Sequence, residues 1–147
     1  MTATSHALIG TVIAAKISNP ALAIPLALAS HFVADMIPHW DEALERKEKG
    51  LDRVFIESCA DLLLGFALSY TLIFFLFPQT NLLYAFLLII VAQLPDWLMA
   101  PYLFLKINAF KWAYHLGKVT NREVDKPWGI VTQILAVSLL VSLAKIF

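Results

Sequence analysis

Three stretches of this chain, residues 54–77, 82–105 and 128–147, are apolar over nearly their whole length. Each reaches the ~20 residues that a helix needs to cross a hydrocarbon layer about 30 Å thick. Two shorter apolar stretches precede them, residues 7–17 and 21–37, separated by the turn signal Ser18-Asn19-Pro20. Composition agrees. Hydrophobic residues make up 60% of the chain and charged residues 15%, against about 45–50% and about 25% in ordinary soluble domains. The expected fold is all-α: an integral membrane bundle of about five hydrophobic helices, the first short or re-entrant, in a single domain over residues 1–147. No Lys or Arg precedes the first apolar stretch, so it is expected to be retained and not cleaved as a signal peptide.

Two polar stretches, residues 40–53 and 106–127, separate the apolar ones. The first mixes both charges and holds Glu45 and Lys49 at the i,i+4 spacing of a solvated helix. The second sets its Lys and Arg residues among Phe110, Trp112 and Tyr114, a mixture suited to the lipid headgroup level. If the apolar helices alternate across a bilayer, both polar stretches share a side with the N-terminus. That side then holds all eleven Lys and Arg residues except Lys16 and Lys145. The positive-inside rule makes it cytoplasmic and puts the C-terminus outside. The net charge is zero, which argues against a nucleic-acid partner, since that affinity comes from surplus cationic charge. Cys59 is the single cysteine and offers neither an internal disulfide nor a thiolate cluster.

Ionisable residues inside the apolar stretches are the informative feature. His31 and Asp35 lie in the second, Glu57 and Asp61 in the third, and Asp96 in the fourth, while His6 begins the first. An acid at the centre of a bilayer costs about 2.5–3.5 kcal/mol on insertion scales, and the usual resolution is pairing, a water-filled cavity or a bound cation. Residues equidistant from a turn share a depth in an antiparallel helix pair. A turn near residues 18–19 levels His6 with His31, and a loop near residue 45 levels His31 with Cys59 and Asp35 with Phe55, so that Glu57 and Asp61 bracket that layer. A turn between Gln79 and Thr80 levels Asp61 with Leu98, within a turn of Asp96. Four helices thus deliver imidazoles and carboxylates to one layer.

Such a donor set without thiolates suits Zn²⁺ first, and Mn²⁺ or Fe²⁺ as well. The expected ligands are His6, His31, Asp35, Asp61 and Asp96, with His39, Asp41 and His115 as possible additions. Glu57 and Asp35 are the catalytic candidates, Glu57 as general base or further ligand. There are enough candidates for one ion or two, and paired ions are the usual device for phosphoester hydrolysis. Lys111, Lys118 and Arg122 form a basic rim suited to a headgroup phosphate, and a substrate entering from the side would be a membrane lipid. Two other readings stay open: a cation-binding carrier or proton relay, and a non-catalytic partner subunit with a relict metal site.

The segment His31-Phe32-Val33-Ala34-Asp35-Met36-Ile37-Pro38-His39 resembles the metal-binding signature of zinc-dependent phospholipase C and the S1/P1 nucleases. Ser5-His6-Ala7-Leu8-Ile9-Gly10, Ser30-His31 with Asp35, and Leu94-Pro95-Asp96-Trp97 together resemble the LexA-regulated, membrane-bound metal-dependent hydrolases. That resemblance covers most of the chain. It implies a small multi-helix protein of a prokaryotic inner membrane that hydrolyses its substrate with a divalent metal. Members of that family extend Leu-Pro-Asp to a second Asp and a His, where this chain has Trp97, Leu98 and Met99.

Overall fold

The computed structural model describes residues 1–147 and is all-helical. Five hydrophobic helices form the bundle: α1 (Ala3–Lys16), α2 (Pro20–Asp35), α4 (Leu51–Leu76), α5 (Leu82–Leu105) and α7 (Trp128–Ile146). Two short helices, α3 (Arg46–Lys49) and α6 (Lys111–Thr120), lie in the two polar stretches. Of the seven, α4, α5 and α7 are long and apolar enough to cross a membrane. Capping follows the sequence. Asn19 and Asn81 accept from the backbone N–H groups of Ala21 and Tyr84, donors that the first turn of a helix leaves free.

The first helix is short, as the sequence reading expected, at 14 residues. Its start meets α2 at Asp35, and its end meets the start of α5, where the Tyr84 hydroxyl donates to Ile17 O at 2.8 Å. It therefore runs the same depth as α5 between residues 84 and 96. It is also the hub, packing against α2, α4, α5 and α7, and Lys16 is its one exposed residue. Small side chains make this close approach work. A Cβ on Gly10 would stand 2.7 Å from Leu88 O of α5, and one on Gly65 of α4 would stand 3.1 Å from Ala7 Cβ. Small residues at helix contacts let backbones approach in this way.

The two polar stretches meet at one end of the bundle. His39 N–H donates to Arg122 O at 3.1 Å and Val124 N–H to His39 O at 2.7 Å, an isolated parallel bridge. Beside it, Lys126 Nζ lies 2.9 Å from Glu45 Oε1 and 4.0 Å from the centre of the Trp40 ring. At the opposite end, Ile13, Ala14, Ala23, Ala27, Ile73 and Leu88 form an apolar core. Large apolar side chains cover the exterior, among them Leu63, Phe74 and Leu83.

Candidate metal centre

The last turn of α2 brings His31 and Asp35 to one face, as i,i+4 spacing requires. The start of α1 carries His6, and α5 carries Asp96 immediately after Pro95. These four side chains meet. Asp35 Oδ1 lies 3.2 Å from His6 Nε2, and Asp35 Oδ2 lies 3.3 Å from His31 Nε2. His31 Nε2 is also 3.5 Å from Asp96 Oδ1. The two imidazole rings stack with centroids 3.9 Å apart. His6, His31 and Asp35 are buried.

The state of His31 follows from its neighbours. Its Nδ1 lies 2.8 Å from Ala92 O, and a carbonyl can only accept, so Nδ1 carries the proton. In the neutral ring Nε2 is then a bare lone pair. That lone pair has no hydrogen-bond partner and faces two carboxylate oxygens. Such an arrangement is repulsive unless a proton or a cation sits between the groups. His6 has both ring nitrogens buried and without hydrogen-bond partners. Single donor atoms of His6, His31 and Asp96 lie within 4.8 Å of one another, a span that suits a common ion.

His39 stands at the edge of this group. Its Nδ1 donates to Ile37 O at 2.8 Å, and its Nε2 lies 2.8 Å from the Met1 amino group and 3.9 Å from Asp35 Oδ1. Burial, and next the charge of the Met1 amino group, hold His39 below the usual imidazole range. The Met1 amino group also pairs with Asp35, a contact the sequence reading missed. The backbone carbonyl of Ala92 was missed as well.

Other expected site residues lie elsewhere. Asp61 does not join the ligand group; it accepts from Thr4 N–H at 3.0 Å and from the Thr4 hydroxyl at 2.7 Å. It thereby caps the first turn of α1, where a carboxylate meets free N–H groups and a favourable dipole. Glu57 is bound to Lys49 Nζ at 2.8 Å and Arg53 Nε at 3.0 Å, so it is not placed as a base. His115 is exposed on α6 against Tyr114. Asp41 caps the 3-10 turn Glu42–Glu45 through Ala43 N–H at 2.7 Å.

A cavity of about 370 Å³ adjoins the group between α4 and α5. Asp96 lies on its wall, together with Asp41, Glu42 and Asp61. Burial, then the negative charge of Asp61, push the Glu42 carboxyl up to about 7. The expected basic rim does not reach this cavity. Lys118 pairs with Glu123, Lys111 and Arg122 are exposed, and none of the three lines the wall. No protein-family model, no curated protein and no solved structure matches the chain.

Proposed function

We propose that this protein is a membrane-embedded, metal-dependent hydrolase acting on a phosphoester or lipid-like substrate. The observation that carries the reading is the buried Nε2 of His31, held by the Nδ1 contact to Ala92 O so that it faces both Asp35 and Asp96. A group so placed takes up a proton or a metal ion, and imidazoles with carboxylates suit Zn²⁺, with Mn²⁺ or Fe²⁺ as alternatives. His6, His31 and Asp96 would hold the ion, with Asp35 as a further ligand or as the carboxylate that orients both imidazoles. An ion there would supply the Lewis acidity that makes a water nucleophilic near neutral pH. Asp96 belongs to both the ligand group and the cavity wall, so a substrate bound in the cavity lies beside the ion. The three long apolar helices and the apolar exterior support the membrane location. The Lys and Arg distribution supports a cytoplasmic side for the N-terminus and the site.

The test is metal content and turnover together. The protein is purified in detergent, stripped of loose metal, and its tightly bound metal counted by mass spectrometry. Stoichiometric zinc, manganese or iron with hydrolysis of a generic phosphodiester is the expected result, lost in His31→Ala and Asp96→Ala. Full metal content in both variants overturns the ligand set. Metal without turnover, but with cation flux in liposomes, makes the protein a carrier instead.

A further inference from the structure

The wall of the 370 Å³ cavity is divided in character. Val54, Phe55 and Leu62 of α4 face Ala100, Leu103 and Phe104 of α5, with the Phe55 and Phe104 rings 5.2 Å apart. Trp97 joins this apolar lining. Phe55 is 51% exposed and Trp97 37% exposed, so the cavity opens at the surface of the bundle. The polar part is mostly acidic. Asp41, Glu42, Asp61 and Asp96 line it together with Ser58 and Met1, whose amino group is paired with Asp35, and no Lys or Arg does. The unpartnered Nε2 of His31, itself fully buried, stands 3.5 Å behind the Asp96 carboxylate.

We propose that this cavity binds an amphiphile with a single alkyl or acyl chain and an ammonium-bearing head. The chain lies between α4 and α5, and the ammonium sits among Asp41, Glu42 and Asp61. Size and wall chemistry suit such an occupant, since small-molecule sites are mostly apolar clefts of about 300–1,000 Å³ with a few placed polar groups. Charge decides the head. An anionic phosphate or carboxylate placed by itself against this wall meets carboxyl groups and no compensating side-chain cation. An ammonium meets opposite charge in a partly desolvated site, where such attraction exceeds its value in water. The raised Glu42 carboxyl fits the same picture: burial, and then the charge of Asp61, disfavour its anion, and a bound cation offsets both. That this amphiphile is the substrate rests on the hydrolase reading; its binding does not.

Trp97 provides the readout. Metal-free protein in a non-ionic maltoside detergent is titrated at pH 8 with 9,10-dibromo-octadecylamine, whose bromines quench nearby indoles. The matched 9,10-dibromostearic acid serves as comparison. The expected result is saturable quenching by the amine with an affinity at least ~10-fold above that of the acid. Trp97→Phe removes the saturable component. Asp41→Asn combined with Glu42→Gln brings the two probes within ~3-fold of each other. Equal binding of acid and amine, or saturable quenching that survives Trp97→Phe, overturns the proposal. Amine binding by a protein that holds no metal and hydrolyses nothing leaves this site standing and removes the hydrolase reading. Metal-dependent turnover with no amine preference does the reverse.

Discussion

Two acids in this molecule each gather several cationic or basic groups, and they differ chiefly in their access to solvent. Asp35 collects the Met1 amino group, His6, His31 and His39 in the interior. Glu45 collects Lys49 at 2.6 Å, Lys126 at 2.9 Å and the Trp40 indole N–H at 3.2 Å at the rim. At the rim, Lys49 and then Lys126 hold the Glu45 carboxyl down to about 2, yet water stands ready to replace either partner. Around Asp35 there is no such substitute, so every partner must come from the protein or from a bound ion. The outer cluster fastens two loops together. The inner one adjoins the His6, His31 and Asp96 group that could hold an ion.

The widest expected gap between the clusters is in Asp35→Asn against Glu45→Gln. The inner substitution breaks a buried ionic group, which typically costs about 3–5 kcal/mol. Asp35→Asn should lower the thermal midpoint in detergent by many degrees and abolish stoichiometric metal. Glu45→Gln should leave metal content and turnover at the parent level. Comparable losses in the two variants would erase the distinction between the clusters.

A pH titration sharpens it next. Glu42 sits between the two environments, its carboxyl at about 7 in the folded protein against an ordinary 4.5. As pH rises from 4.5 to 7 the unfolded chain releases this proton first, so folded stability falls across that window and levels off above it. The ceiling is about 3 kcal/mol, at 1.36 kcal/mol per unit. Thermal midpoints of metal-free protein should decline over that range, and Glu42→Gln should flatten the decline. An unchanged slope in Glu42→Gln would place the titrating group elsewhere.

Smaller effects belong to residues the structure leaves off the site. Glu57→Gln should keep full metal occupancy and change turnover less than ~2-fold, since surface ion pairs contribute little. Joint replacement of Lys111, Lys118 and Arg122 by Ala should likewise leave turnover within ~2-fold in neutral detergent. Its effect should appear as weaker binding of anionic lipid by the detergent-solubilised protein, a surface charge effect screened by salt. A loss of turnover beyond ~10-fold in either variant would return those residues to the site.

The pattern of what the sequence disclosed has a physical basis. Hydropathy located all five apolar helices, and hairpin arithmetic put His6, His31, Asp35 and Asp96 at one height, where they are found together. Height, however, says nothing of rotation about a helix axis or of competing local partners. Asp61 has the right height but is taken by Thr4, whose backbone N–H needs an acceptor at the start of α1. Glu57 is taken by Lys49 and Arg53, which lie just before it in the chain. The central position of α1 was hidden for another reason. Its small residues, Ala3, Ser5, Ala7, Gly10 and Ala14, give a weak hydropathy signal for the property that matters, which is how closely neighbours can approach.

That central position orders the assembly of the molecule in time. The segment bearing His6 is made before the helices that enclose it, α2, α4, α5 and α7. Ser5, His6 and Thr11 are buried by those later helices, and a polar face of this kind is a poor match for bare acyl chains. The earliest-made donor is therefore among the last to be enclosed. On the metal-dependent reading proposed above, ion capture is a closing event of maturation, and starving cells of metal should leave full-length chains with an accessible, protease-sensitive N-terminal segment.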